Sequence, residues 1–218
     1  MNKLLAEEIY YLMVLGRKFE YAAKENYMKG NISGFLHLDI GQEALSVAAI
    51  KAFEKGDVFS TYREHIMAMA RGIEPKAVMA ELFGKASGVS GGKGGSMHLF
   101  EPSRFFYGGD AIVGGHIPNA VGCAYARKYQ GSDDGVMVIF GDGATNGGAF
   151  FESLNIAATQ KLPLLFLCEN NEYADAPPLR LAGADTPIPY NRKLELASIP
   201  TPQSIADDII EWGRKNDV

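Results

Sequence analysis

Cysteine is nearly absent from this chain of 218 residues, which has only Cys123 and Cys168. Both sit in apolar segments, the setting of buried thiols in a reducing compartment, so neither a structural disulfide nor a cysteine metal site is expected. Long apolar runs are missing too. No stretch approaches the roughly 18 to 20 residues that a membrane-spanning helix needs. The opening MNKLLAEEIYYLM carries acidic residues where a secretory signal would be basic. A soluble, cytoplasmic protein with no membrane partner is expected. Positive charge is in deficit, with 21 Lys and Arg against 26 Asp and Glu and a net charge of -5. The basic face that a polyanion requires is therefore lacking, and no nucleic-acid partner is expected. What is present is an ordinary globular composition, 47% hydrophobic and 22% charged, which accommodates one domain or a domain with a smaller appendage.

Apolar spacing predicts the elements. Leu5, Ile9, Leu12, Leu15 and Phe19 recur at three or four, the mark of one long amphipathic helix ending near Gly30. Further helices are predicted over 42–53, stopped by Lys55-Gly56-Asp57, and over 75–82 before Phe83-Gly84. Glycine and serine dominate 86–95, but the apolar and aromatic residues that follow favour an ordered loop at an interface over a tether. Small residues from Gly114 to Tyr129 indicate a helix packed closely on a sheet. The run 136–140 predicts a buried parallel strand and 163–168 a second apolar strand, and Phe150, Leu154, Ala157 and Ala158 predict the helix joining them. The segment thus reads as one parallel crossover unit in an α/β protein.

In a parallel sheet, ligands gather at the carboxyl ends of the strands. Asp142 follows the first predicted strand and Asn171 the second, 171 - 142 = 29 positions later. Magnesium takes hard oxygen ligands in near-octahedral geometry, often one or two protein groups completed by phosphates. Asp142 and the Asn171 side-chain oxygen suit that role. Gly143 and Ala144 can offer backbone amides to an anion, aided by the helix amino terminus. The implied ligand is a metal-bridged diphosphate. Singly, Gly-Asp-Gly is a common turn and Asn-Asn a common cap; the pair at both ends of one crossover unit is far more specific.

The stretch GDGATNGGAFFESLNIAATQKLPLLFLCENNEY resembles the thiamine-diphosphate motif, which opens on GDG and closes on NN. It is most similar to the alpha subunit of the decarboxylating component of 2-oxo-acid dehydrogenases, of the pyruvate type. GFLHLDIGQEA at 34–44, STYREH at 60–65, ELFGKASGVSGGKGGSMHLF at 81–100 and FYGGDAIVGGHIPNAVGCAYA at 106–126 resemble the same family, so the likeness covers 4–174. It implies a thiamine-diphosphate-binding fold, a parallel sheet flanked by helices, in truncated form. It further implies that Mg2+ is held by Asp142, Asn171 and the backbone carbonyl of Tyr173. Tyr62 and Arg63 are implied at the phosphate side of the cofactor, with the backbone near Ile112 and Val113 at its rings. An arginine beside a diphosphate also makes independent sense as a fork of donors. Ala111 stands where the family usually has glycine.

A lone histidine is more often structural than functional. The resemblance assigns His37 and His65 to catalytic positions, His98 less directly, and leaves His116 structural. GGKGGSMH resembles the pyruvate and acetoin types and not the branched-chain type. The implied reaction is oxidative decarboxylation of a 2-oxo acid, pyruvate before others, with acyl transfer to a lipoyl group on an acyltransferase component. The cofactor carries the hard chemistry. The implied partner is a beta subunit, which in the family supplies the glutamate at the aminopyrimidine. From Asp175 the chain resembles the carboxyl terminus of that beta subunit, ADTPIPY at 184–190 included. Two units follow, 1–174 for the diphosphate side and 175–218 as a tail with a short strand at 179–181 and a helix carrying Ile205, Ile209 and Trp212. The simplest origin is a fused alpha and beta sequence with a large internal deletion. Such a chain is expected to bind cofactor weakly alone and to associate into homo- or hetero-oligomers through an unpaired sheet edge. The alternatives are an acetoin dehydrogenase alpha subunit and an inactive remnant.

Overall fold

The computed structural model describes residues 3–171, so the readings made for Tyr173 and for 175–218 lie outside the described residues. The long first helix, α1 (Lys3–Met28), forms as its spacing predicts, as do α2 (Glu43–Ala52) and α4 (Pro75–Leu82). Between them lie two elements without a legible pattern. One is β1 (Gly56–Thr61), buried at five of its six positions; the Lys55-Gly56-Asp57 stop also opens a strand. Its charged residue, Asp57, is tolerated inside because Arg127 donates to it at 2.6 and 2.8 Å. The other is α3 (His65–Ala70), whose HIMAMA sequence is buried on every side and so has no polar face to reveal a period. Gly16 lets α1 approach it: a Cβ there would meet the Ile66 side chain at 2.9 Å.

The sheet runs β2 (Phe106–Asp110), β1, β3 (Gly135–Gly141), β4 (Leu164–Glu169), with every neighbouring pair parallel. The β3 and β4 pair and the α6 helix (Gly148–Gln160) between them form the expected crossover unit. Along β3 the side chains alternate between two covered faces. Val136, Val138 and Phe140 pack with Ile117, Ala120 and Ala124 of α5 (Ile117–Tyr129), while Met137 and Ile139 pack with the cluster built on α1 to α4. Coverage on both faces is why the strand reads as an uninterrupted apolar run. Among the described residues no helix is long and apolar enough to cross a membrane.

Both helices start later than their composition suggests. Gly114 has φ +75°, which no helix admits, so α5 begins at Ile117. After β3 a 3-10 turn over Asp142–Asn146 precedes α6, which opens at Gly148. The amides nearest Asp142 therefore belong to that turn and not to α6.

The glycine-rich loop is ordered, and a single carboxylate orders it. Glu81 of α4, fully buried, accepts Ser90 and Gly92 amides on one oxygen, both at 2.8 Å. Its other oxygen accepts those of Gly94 and Gly95 at 2.7 and 3.2 Å. A Cβ at Gly88 would lie 2.3 Å from a Glu81 oxygen, so the wrap closes only around glycine. Burial would raise this carboxyl; the four amides outweigh it and hold the group below its ordinary value. Its stabilising effect is thus complete above the unfolded carboxylate pKa and is lost as pH falls through the lower folded value. Glu81→Gln, which presents an NH2 to two of the four donors, is expected to lower stability by about 2 to 4 kcal/mol in urea titration at pH 7. The difference from wild type should shrink below about pH 4.

Candidate cofactor site

Four strand ends converge on one cavity of about 130 Å³. β1 delivers Thr61, Tyr62 and Arg63, β2 delivers Asp110, β3 delivers Gly141 to Ala144, and β4 leads into Asn171. The strand order makes the gap between β1 and β3 the switch point, where connections leave in opposite directions and a crevice opens. Pairing of β1 with β3 stops at Phe59 with Val138. Beyond it the strands part.

Asp142 is buried beneath the lining formed by Gly141, Gly143 and Ala144. One of its oxygens accepts the Asn171 amide at 3.3 Å, which joins the two halves of the sequence motif. The other, Oδ2, has no partner among the described residues. A buried carboxylate oxygen without a donor is costly unless a cation or donor meets it. No cluster of three His, Cys, Asp or Glu side chains suited to a metal occurs among the described residues. A magnesium ion here would need oxygens from Asn171, backbone and a diphosphate to complete its shell.

The other expected residues divide. Tyr62, Arg63, Val113, Gly143, Ala144 and Asn171 line the cavity. Ile112 is 71% exposed and lies off it. His37 sits behind Tyr62, its ring centroid 4.4 Å away, and its backbone amide donates to the Ser96 hydroxyl at 3.2 Å. His65 is fully buried: its Nδ1 lies 3.0 and 3.1 Å from the two Glu20 oxygens and its Nε2 2.8 Å from Ser96 Oγ. With Glu20 an acceptor at Nδ1, that nitrogen carries a proton, and Nε2 meets the Ser96 hydroxyl. Neither His65 nor His37 lines the cavity; His65 connects to it only by way of Ser96 and the His37 backbone amide. His98 is exposed, with Nδ1 3.1 Å from the Gly109 carbonyl.

Three ionisable lining residues escaped the sequence reading. Asp110 is the register partner of Thr61. Glu169 ends β4, and the signal was a carboxylate closing an apolar strand just before Asn170-Asn171. His116 lines the cavity at 4% exposure, where only its family position was weighed.

Charge in the floor is carboxyl-rich. Burial pushes Glu169 up to about 8, with the Asp39 charge adding and Arg63 opposing. Burial likewise lifts Asp39 to about 7; the Ser46 hydroxyl opposes, Glu20 adds, and Arg63 and His65 oppose. Arg63 serves both and also donates to the Leu38 carbonyl. For an acid whose folded value is raised, the folded state holds the extra proton, so stability is complete below the unfolded value and is lost as pH rises through the folded one. In urea titrations from pH 5 to 8, wild type is expected to lose stability relative to Glu169→Gln, by on the order of 1 to 3 kcal/mol. A difference independent of pH would contradict this.

Comparison with known proteins agrees with this geometry. Residues 11–188 match the family model described as "Dehydrogenase E1 component", a span that continues past the boundary expected at Ala174. The chain is 47% identical over 174 residues to the pyruvate dehydrogenase E1 component subunit alpha-3, chloroplastic, of Arabidopsis thaliana, covering 77% of this chain and 41% of that one. It is 45% identical over 183 residues to the pyruvate dehydrogenase E1 component subunit alpha of Zymomonas mobilis, covering 83% and 52%. The subunit alpha of Rhizobium meliloti is 46% identical over 178 residues, covering 81% and 51%. The chain thus spans about half the length of the curated relatives it matches. The four-stranded parallel sheet, the convergent strand ends and these likenesses together mean that the chain belongs to the dehydrogenase E1 component family, with the alpha subunits as its relatives.

Proposed function

We propose that this chain binds thiamine diphosphate with Mg2+ in the carboxyl-end cavity and forms the diphosphate-side half of a 2-oxo-acid decarboxylating component, with pyruvate as substrate. The observation that carries the reading is Asp142 held against Asn171 at the ends of neighbouring strands, with its Oδ2 buried and unpartnered. Asp142 and Asn171 would hold the metal with the backbone of Tyr173. Tyr62 and Arg63 would meet the phosphates, and the 142–146 turn would offer its first amides to them, since such leading amides lack intrahelical acceptors. Val113 and the backbone beside it would face the rings. When bound, the cofactor supplies the carbon nucleophile and the electron sink for loss of carbon dioxide.

The chain's own contribution is binding and orientation. His37 backs Tyr62, and the Glu20, His65 and Ser96 chain fixes the His37 backbone. The expected partners are a beta subunit of the same component and a lipoyl-bearing acyltransferase that accepts the acyl group. An acetoin-type substrate remains the alternative within the same chemistry. Residues 175–218 are read as a beta-like tail. A second reading is an inactive remnant that folds or associates without catalysis.

Calorimetric titration of the full chain with thiamine diphosphate and Mg2+ tests the site. Heat that depends on magnesium is expected for wild type, and Asp142→Ala should weaken binding at least about tenfold by removing a metal ligand. No magnesium-dependent heat in wild type sinks the assignment. Activity separates the two readings: the chain alone should turn over no pyruvate, and a beta subunit should restore turnover only if this is not a remnant.

A further inference from the structure

His116 sits where the sheet opens. The loop that carries it is built from tight turns: the Ile112 amide donates to Asp110 at 2.8 Å, the Gly115 amide to the Ile112 carbonyl at 2.9 Å, and the Ile117 amide to the Gly114 carbonyl at 3.2 Å. Gly114 brings this loop against Ala144, which a Cβ would meet at 3.5 Å. The loop thereby closes over the 142–146 turn and leaves His116 as a wall of the cavity, 4% exposed.

The ring is oriented by one strong contact. Its Nε2 lies 2.7 Å from the Ile139 carbonyl. Ile139 is the first β3 residue beyond the ladder with β1, which stops at Val138. A carbonyl accepts only, so Nε2 must carry the proton. Nδ1 of the neutral ring is then an acceptor with a free lone pair. It is buried and has no partner among the described residues. Burial holds His116 below the ordinary histidine range, against opposing effects of the Ile139 carbonyl and of Asp110, so the ring is neutral at pH 7. A buried acceptor at a cavity wall, fixed in orientation and lacking a donor, is an incomplete hydrogen bond awaiting a ligand.

We propose that His116 is a ligand-contacting residue of this cavity, accepting through Nδ1 a hydrogen bond from an N–H or O–H donor of the bound molecule. This rests on the reading that the cavity takes thiamine diphosphate with Mg2+. Two parts of that ligand are donors of the required kind: the exocyclic amine of the aminopyrimidine, and a water bound to the metal. The diphosphate oxygens only accept and are excluded as the direct partner of a neutral Nδ1. The role is one of orientation, since a single acceptor of fixed direction selects the pose in which the donor reaches it.

The test uses the full chain, 15N-labelled at histidine, with two probes: Mg2+ with inorganic diphosphate, and Mg2+ with thiamine diphosphate. In the free chain the His116 Nδ1 resonance should be that of an unprotonated nitrogen, and it should move toward the hydrogen-bonded position as ligand saturates. A shift with both probes names the metal-bound water as donor; a shift with thiamine diphosphate alone names the amine. His116→Leu should weaken the probe that shifts the resonance about tenfold, the loss of one hydrogen bond. His116→Gln, which keeps one donor and one acceptor, should recover most of it. The wild-type resonance needs no variant to fold. A resonance unmoved at saturation, or His116→Leu binding both probes as wild type does, overturns the assignment of His116 and leaves the cofactor reading standing. Failure of wild type to bind either probe overturns the cofactor reading and this contact with it.

Discussion

The separation of β1 from β3 at their carboxyl ends is the constraint on which the site depends. Strand order β2, β1, β3, β4 sends the chain outward from β1 in one direction and from β3 in the other, which opens a crevice between them. Right-handed parallel crossovers then place α5 and α6 on the face opposite α1 to α4. The polar groups of the cavity come from the last residues of the strands and from the turns that follow them. The Ile139 carbonyl lies inside β3 but past its ladder with β1, and His116 answers it.

A parallel sheet buried on both faces excludes water, and the same exclusion governs the charges beneath the site. Glu20, Asp39 and Glu169 are all within 3% of full burial, and Arg63 is the cation that Asp39 and Glu169 share. Burial above all lifts the latter two carboxyls, and Arg63 offsets it only in part. Glu20 is engaged, taking His65 on both oxygens and the Asp39 amide at 3.2 Å. Glu169 retains an oxygen with no partner among the described residues. A floor of this kind favours an arriving cation, which replaces protons on the carboxyls that burial has made reluctant to ionise.

The sequence made the crossover unit legible because β3, α6 and β4 each obey a simple rule: apolar runs for the strands, although only β3 is covered on both faces while β4 keeps Leu165 and Cys168 exposed, and a period near four for the helix. Asp142 and Asn171 were legible for the same reason, since a strand's end can be read from where its apolar run stops. β1 was hidden because its six residues include Gly56, Asp57, Ser60 and Thr61, and what makes it a strand is its place between two others. α3 was hidden because total burial erases periodicity. Glu81 gave no local sign that it organises a loop nine to fourteen residues away; the contact is tertiary. His65 was found through family position, and only the coordinates put Glu20 and Ser96 on its two nitrogens.

The two ends of the cavity differ in how far they are prepared. At the Asp142 end the polar groups are buried and pre-aimed, with Asn171 docked on one carboxylate oxygen and the turn fixed by the Thr145 hydroxyl on the Asp142 carbonyl at 2.7 Å. Preorganisation of this kind lowers the ordering cost of binding. At the other end Val113 lines the cavity at 51% exposure, and its neighbour Ile112, off the lining, stands 71% exposed. Apolar contact yields binding energy only when water is removed from it, at roughly 25 cal/mol per Å². For the proposed cofactor, the metal and diphosphate end can be held by this chain's own groups, whereas the ring end gains little until another surface closes over Ile112 and Val113. The groups prepared within the described residues are thus the polar ones of the Asp142 end.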